Sequence, residues 1–262
     1  MIPVEVRAEI MRRLARTEQE EGVRILLAIE SGSRAWGFAS PNSDYDVRFI
    51  YAREADWYLA VDLEERRDVI EYPIVDDIDL NGWDLRKALR LLWKTNPAMV
   101  EWIQSPISYI ETGGFGAGAR DLLPTLYSAE RGIYHYRSMA KTNYANHLSG
   151  DQVPLKKYFY VLRALLSVHW IERYGTAAPI EFHKLLHLLD HRRDLLAEID
   201  ALLEKKRAAP ELGLSEPIAS LNDFIEQELA RLESVQPLPA PRVQPLPGLN
   251  ALFHAVLREQ QG

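Results

Sequence analysis

The chain has 262 residues, 31 Lys+Arg against 38 Asp+Glu, a formal net charge of -7 and no cysteine. The missing cysteine excludes a disulfide scaffold, a thiolate nucleophile and sulfur-ligated zinc, and the acidic total argues against a general nucleic-acid coat, which needs Lys and Arg to neutralise phosphates. No apolar run approaches the roughly 20 residues that span a bilayer and the N-terminus lacks a signal-peptide pattern, so a soluble, cytoplasmic protein with no membrane partner is expected.

Val4, Ile10 and Leu14 fall at helical spacing in a first segment that Gly22 ends. The short apolar run Val23 to Ile29, bounded by Gly22 and Gly32, predicts a buried strand. Alternation through Tyr45, Val47, Phe49 and Tyr51 predicts a second, and Asp68 to Tyr72 and Val75 to Leu80 predict two more. From Asp84, a helix N-cap, the pattern turns helical: LRKALRLLWK, a break at Asn96-Pro97, then AMVEWIQ. Trp83, Trp93 and Trp102 read as core or domain-interface aromatics.

Beyond the glycine-rich stretch Gly113 to Gly118, helices are predicted over Arg120 to Leu126, Ile133 to Leu148, Leu155 to Tyr174, Ile180 to Lys206 and Pro217 to Leu232. The fold class is therefore α+β: a small mixed β-sheet domain over 1–115, then an all-helical domain over 116–262. The latter includes a proline-rich segment, 236–248, in which QPLP occurs twice, and a last short helix from Asn250 to Glu259.

Chemistry concentrates in Gly32-Ser33-Arg34-Ala35-Trp36-Gly37 and Ser43-Asp44-Tyr45-Asp46-Val47-Arg48. A Gly-Ser after a buried strand lets the backbone approach a ligand closely and offers N–H groups and a hydroxyl to a phosphate. Asp44 and Asp46 stand two apart at the start of a strand, so both carboxylates share one face. Two hard oxygen ligands on a rigid face suit Mg²⁺, with Mn²⁺ as a substitute. Taken singly, a Gly-Ser is common in turns and an Asp-X-Asp is a common solvated strand end. Together, at strand-turn-helix-strand spacing, they resemble the signature of the DNA polymerase beta-like nucleotidyltransferase superfamily. The blocks GSRAWGF, SDYDVRFIY, DIDLNGWDLRKAL, NPAMVEW and KKYFYVLRALL narrow the resemblance to a bacterial and phage family of nucleotidyltransferases with an RNA-repair-associated branch, over Gly32 to about Trp170.

The resemblance implies that Gly32 and Ser33 hold the triphosphate and that Asp44 and Asp46 bind metal. It also implies a third carboxylate from a later strand, for which Asp79 is the best match and Asp77, on the same predicted strand, the alternative. Two Mg²⁺ ions would then bridge the triphosphate and orient the α-phosphorus, and Asp79 would serve the acceptor hydroxyl. Arg34 follows the phosphate loop and reaches either a phosphate or a nearby carboxylate. Arg48, on the same strand face as Asp46, balances the carboxylates when metal is absent.

Lys156, Tyr160 and Arg163 fall at i, i+4 and i+7 on one predicted helix, with Lys157 beside them, a stripe suited either to a nucleotide or to solvent. His183, His187 and His191 have helical spacing that permits a metal site, but their charged neighbours favour packing or exposure. His135, Tyr136 and Glu101 lie in family-like blocks without an assignable role.

The activity that follows is transfer of a nucleoside monophosphate from an NTP or dNTP to a hydroxyl, with an RNA or DNA end as first choice of acceptor and a protein or small molecule as second. The rival from another class is a non-catalytic nucleotide-binding partner in RNA repair. Charge is unevenly spread: Pro41 to Asp84 holds 13 Asp+Glu and 4 Lys+Arg, while Glu130 to Gly175 holds 7 Lys+Arg and 3 Asp+Glu. An acidic, metal-demanding half precedes a locally basic one that suits triphosphate or the end of a strand.

Overall fold

In the computed structural model, which describes residues 2–208, 213–234 and 246–259, the first half is organised by a five-stranded mixed sheet of order β3-β4-β2-β1-β5. Helix α1 (Val4–Glu21) ends at Gly22 in the left-handed conformation that glycine tolerates. Strand β1 (Arg24–Glu30) follows, then the single turn α2 (Gly32–Ala35) and β2 (Tyr45–Ala52), antiparallel to β1. Strand β3 (Val69–Glu71) is an edge, and β4 (Ile78–Asp84) runs parallel to β2. Alternation sends Val47, Phe49, Tyr51, Ile78 and Leu80 to one face, where Ile10 and Leu14 of α1 complete a core. Asp46, Arg48, Asp79 and Asn81 are left to the other face.

Two strand expectations are corrected. The strand predicted over Val75 to Leu80 begins only at Ile78, because Asp76 and Asp77 both have positive φ, 52° and 59°, in a tight hairpin turn between Val75 and Ile78. At its other end it continues through Gly82 to Asp84: the Phe49 ring lies so close over Gly82 that any side chain there would overlap it, so the glycine serves packing rather than a turn. Strand β5 (Ser108–Glu111), antiparallel to β1, was not predicted.

Asp84 caps α3 (Leu85–Trp93) by accepting from the Arg86 N–H, and Asn96 caps α4 (Pro97–Ile103) by accepting from the Met99 N–H. Trp102 is buried and stacks on Trp83, whereas Trp93 is exposed. Helix α5 (Phe115–Leu126) starts inside the glycine-rich stretch. Then come α6 (Ala129–His147), the short strand β6 (Val153–Pro154), α7 (Lys156–Tyr174), α8 (Arg193–Ala208), β7 (Leu214–Ser215), α9 (Ala219–Ser234) and α10 (Leu246–Arg258). The single helix predicted from Ile180 to Lys206 is instead two 3₁₀ turns, Phe182–Lys184 and Leu186–Leu189, before α8. Phe182, Leu185 and Leu188 are buried at a spacing of three, the period of a 3₁₀ turn.

The described residues form two compact units. The first comprises the chain to Ala35, Asp44–Leu126 and α10; the second comprises Trp36–Ser43 and the chain from Tyr127 through α9. The expected division at 115/116 therefore shifts for three physical reasons. Helix α5 packs on β1, α3 and α4, and α10 packs on α3 and α5, so both belong with the sheet. Phe38 is buried in the helical core against Phe159 and Phe182, which carries its segment into the second unit. Of the proline-rich segment 236–248, residues through 245 lie outside the described ones, and Leu246 to Gly248 open α10, four residues before the predicted start. No helix among the described residues is long and apolar enough to cross a membrane.

Candidate active site

Strand β1 ends at Glu30 and the chain turns at once through Gly32, whose φ is +59°. A side chain there is excluded twice, by that left-handed backbone and by the Asp46 carboxylate, which occupies the space a Cβ would need. The Ser31 N–H donates to the Asp46 carbonyl oxygen at 2.8 Å. The Arg34 Nε–H donates to the Asp44 carbonyl oxygen at 3.0 Å, with its guanidinium over the Tyr45 ring at 3.9 Å. The Gly32 turn is thus tied to the start of β2 through Ser31 and Arg34.

Asp46 stands opposite Asp79 in the parallel β2–β4 register. Arg48 joins them: its Nη2 donates to Asp46 Oδ1 at 3.0 Å and to Asp79 Oδ2 at 2.7 Å, and its Nη1 donates to the Asp79 carbonyl oxygen at 2.9 Å. Asn81 Nδ2 donates to Asp79 Oδ1 at 2.5 Å, so both oxygens of that carboxylate have donors. Burial raises the Asp46 carboxyl above its ordinary range, opposed by the Arg48 charge and reinforced by Asp44 and Asp79. Asp77 does not share this face: it sits in the exposed turn before β4, and its carbonyl oxygen accepts from the Tyr45 N–H.

Sequence reasoning missed Glu30, which is 0% exposed. Its Oε1 accepts from the Asp46 N–H at 3.1 Å and its Oε2 from the Tyr109 hydroxyl at 2.5 Å. Burial pushes its carboxyl up to about 7, against the lowering effect of those two hydrogen bonds. The available signal was an acidic residue directly following the apolar run Ile25 to Ile29 and immediately before Ser31-Gly32-Ser33.

Within the second unit, α7 brings its candidates around Trp36. Arg163 is 3% exposed, with its guanidinium 4.0 Å from the Trp36 ring centre. Tyr160 meets the same indole edge-on at 5.3 Å, and Lys157 Nζ lies 5.0 Å from the Tyr160 ring centre. Lys156, Lys157 and Tyr160 are half-buried. The stripe therefore divides: Arg163 is an interior cation stacked on an indole, and the other three reach the surface. His187 is engaged through Nδ1 with the Lys184 carbonyl oxygen and through Nε2 with the Tyr174 hydroxyl. With the 3₁₀ turns in place of a helix, the i, i+4, i+8 face of His183, His187 and His191 does not exist.

Among the described residues, no three His, Asp or Glu side chains converge as a ready metal site. The donor set nevertheless fits Mg²⁺ or Mn²⁺. Asp46 and Asp79 present hard oxygens from adjacent rigid strands and already gather around the positive charge of Arg48. Mg²⁺ commonly takes one or two protein carboxylates and completes its shell with water and substrate phosphate.

A family model described as the RNA repair pathway DNA polymerase beta family, RlaP, matches residues 6–255. The chain is also 44% identical over 255 residues, 97% of each chain, to the uncharacterized protein YcgL of Bacillus subtilis (strain 168). The chain belongs to the RNA repair pathway DNA polymerase beta family, and membership implies a nucleotidyltransferase-like role in RNA repair.

Proposed function

We propose that this family member is a Mg²⁺-dependent nucleotidyltransferase that moves a nucleoside monophosphate from an NTP or dNTP to a hydroxyl at an RNA or DNA end. The observation that carries the reading is the pairing of Asp46 with Asp79 on adjacent parallel strands, beside a glycine turn whose missing side chain makes room for the Asp46 carboxylate. Asp44, Asp46 and Asp79 are the residues that would hold the metal. Bound there, Mg²⁺ supplies charge neutralisation on the triphosphate and on the departing pyrophosphate.

The chain's own groups do the remaining work. Gly32 and Ser33 let the triphosphate approach the backbone, and Arg34 keeps the turn on β2. Within the second unit taken by itself, Lys156, Lys157, Tyr160 and Arg163 remain the nucleotide-binding candidates, and Arg163 and Tyr160 both pack on Trp36. The acceptor oxygen bonds to the α-phosphorus as the bond to the bridging oxygen of pyrophosphate breaks, and the hydroxyl proton passes to Asp79. No covalent enzyme intermediate is needed, in keeping with the absence of cysteine.

The test is incubation of purified protein with labelled NTPs, Mg²⁺ and separate RNA, DNA and protein acceptors. Label on a nucleic-acid end, lost in the Asp44→Ala/Asp46→Ala variant, supports the reading. Label on protein would reassign the acceptor. Nucleotide binding with no pyrophosphate under any condition would leave a binding module instead.

A further inference from the structure

Strand β1 stops pairing with β2 where the chain swings away into the Gly32 turn. Ser31 still supplies an N–H to the Asp46 carbonyl oxygen, but beyond this point the turning backbone offers no strand carbonyl to the Asp46 N–H. Glu30 Oε1 takes that N–H at 3.1 Å, so a side chain finishes the ladder where the backbone cannot. The carboxylate is anchored in turn by the Tyr109 hydroxyl of β5, at 2.5 Å, and by complete burial. Its own backbone is held as well: the Glu30 N–H donates to the Ile107 carbonyl oxygen at 2.9 Å, and the Glu30 carbonyl oxygen accepts from the Ser105 hydroxyl at 2.6 Å.

We infer that Glu30 is a positioning residue: by holding the Asp46 N–H it fixes the Asp46 carboxylate in the space left by Gly32, in the orientation that accepts a divalent cation. This rests on the function proposed above, and it goes further by assigning a task to a carboxylate that touches neither nucleotide nor metal. The task needs an acceptor oxygen held at that reach, whatever its charge. Reach distinguishes the alternatives. Gln keeps the length and the acceptor oxygen while discarding the charge; Asp keeps the charge but is one methylene too short to reach the Asp46 N–H.

The experiment is Mn²⁺ titration of the full chain by electron paramagnetic resonance, for the wild type, Glu30→Gln, Glu30→Asp and Asp46→Asn, with thermal melting in EDTA as the folding control. Glu30→Gln is expected to bind Mn²⁺ within about threefold of the wild type and Glu30→Asp at least about tenfold more weakly, since the hydrogen bond from the Asp46 N–H is kept in the first and lost in the second. Glu30→Asp binding as the wild type does, or Glu30→Gln losing as much as Glu30→Asp, overturns the positioning role. If Glu30→Asp does not fold, Glu30→Gln decides alone, and a tenfold loss there overturns it. A wild type that takes up no Mn²⁺, or an Asp46→Asn variant that binds it undiminished, overturns the underlying reading and the inference with it.

Discussion

The carboxylate of Asp46 occupies the space in which a side chain on Gly32 would begin. Turn and strand are therefore matched parts, and neither tolerates enlargement of the other. Gly32→Ala combines a clash with an unfavourable positive φ, and should destabilise the protein by about 1–3 kcal/mol. Denaturant unfolding measures that loss, and Mn²⁺ titration should show weaker uptake in the folded variant. A Gly32→Ala protein with unchanged stability would mean that the carboxylate lies elsewhere.

Arg48 gives a second prediction. It is the cation that Asp46 and Asp79 share, with donor distances of 3.0 and 2.7 Å. Arg48→Met leaves two partly buried carboxylates facing each other and should lower stability by roughly 2–4 kcal/mol in EDTA. Added Mg²⁺ should then raise the melting temperature more than in the wild type, because the ion replaces a lost positive charge. Equal Mg²⁺ responses in the two proteins would count against a metal on this face.

In the second unit, Arg163 is buried on Trp36. Trp36→Leu removes the ring and leaves a guanidinium in the interior without its stacking partner, at an expected cost of about 2–4 kcal/mol. Chemical denaturation followed by circular dichroism measures this, and a change under about 0.5 kcal/mol would refute an interior role for the stack.

Acid provides a test away from the site. Burial pushes the Glu228 carboxyl up, but hydrogen bonds from His169 and Arg231 and their charges outweigh it, holding it near 2 against an ordinary 4.5. The unfolded chain therefore binds a proton at higher pH than the native one, and the stability from this group, complete above about 4.5, drains away as pH falls towards 2. Glu228→Gln should melt at lower temperature than the wild type at pH 6, with the gap closing by pH 2.5. A gap that stays constant would show that the group does not titrate between these limits.

Legibility followed locality. The turn at Gly32, the caps Asp84 and Asn96, and helix α7 rest on short-range rules, so spacing exposed them, whereas the joint reading of Gly32-Ser33 with Asp44 and Asp46 came from the family resemblance. Asp77 and Asp79 were inseparable by spacing; the positive φ of Asp76 and Asp77 puts only Asp79 in register with Asp46. The strand predicted to stop at Leu80 runs on through Gly82, where the Phe49 ring of a neighbouring strand requires the glycine. Glu30 was invisible for a related cause: its partners Asp46 and Tyr109 lie 16 and 79 residues away. The domain boundary moved because Phe38 and α10 pack far from their sequence neighbours, which no periodicity records.

The most direct measurement compares one NTP labelled at its α-phosphate with the same NTP labelled at its γ-phosphate, each given to the wild type and to Asp46→Asn with Mg²⁺ and an RNA end. The α label should pass to the acceptor and the γ label should leave as pyrophosphate, with both signals falling at least about 100-fold in Asp46→Asn. Transfer of the γ label to the acceptor, its release as orthophosphate, or undiminished activity in Asp46→Asn would contradict nucleotidyl transfer at this carboxylate face.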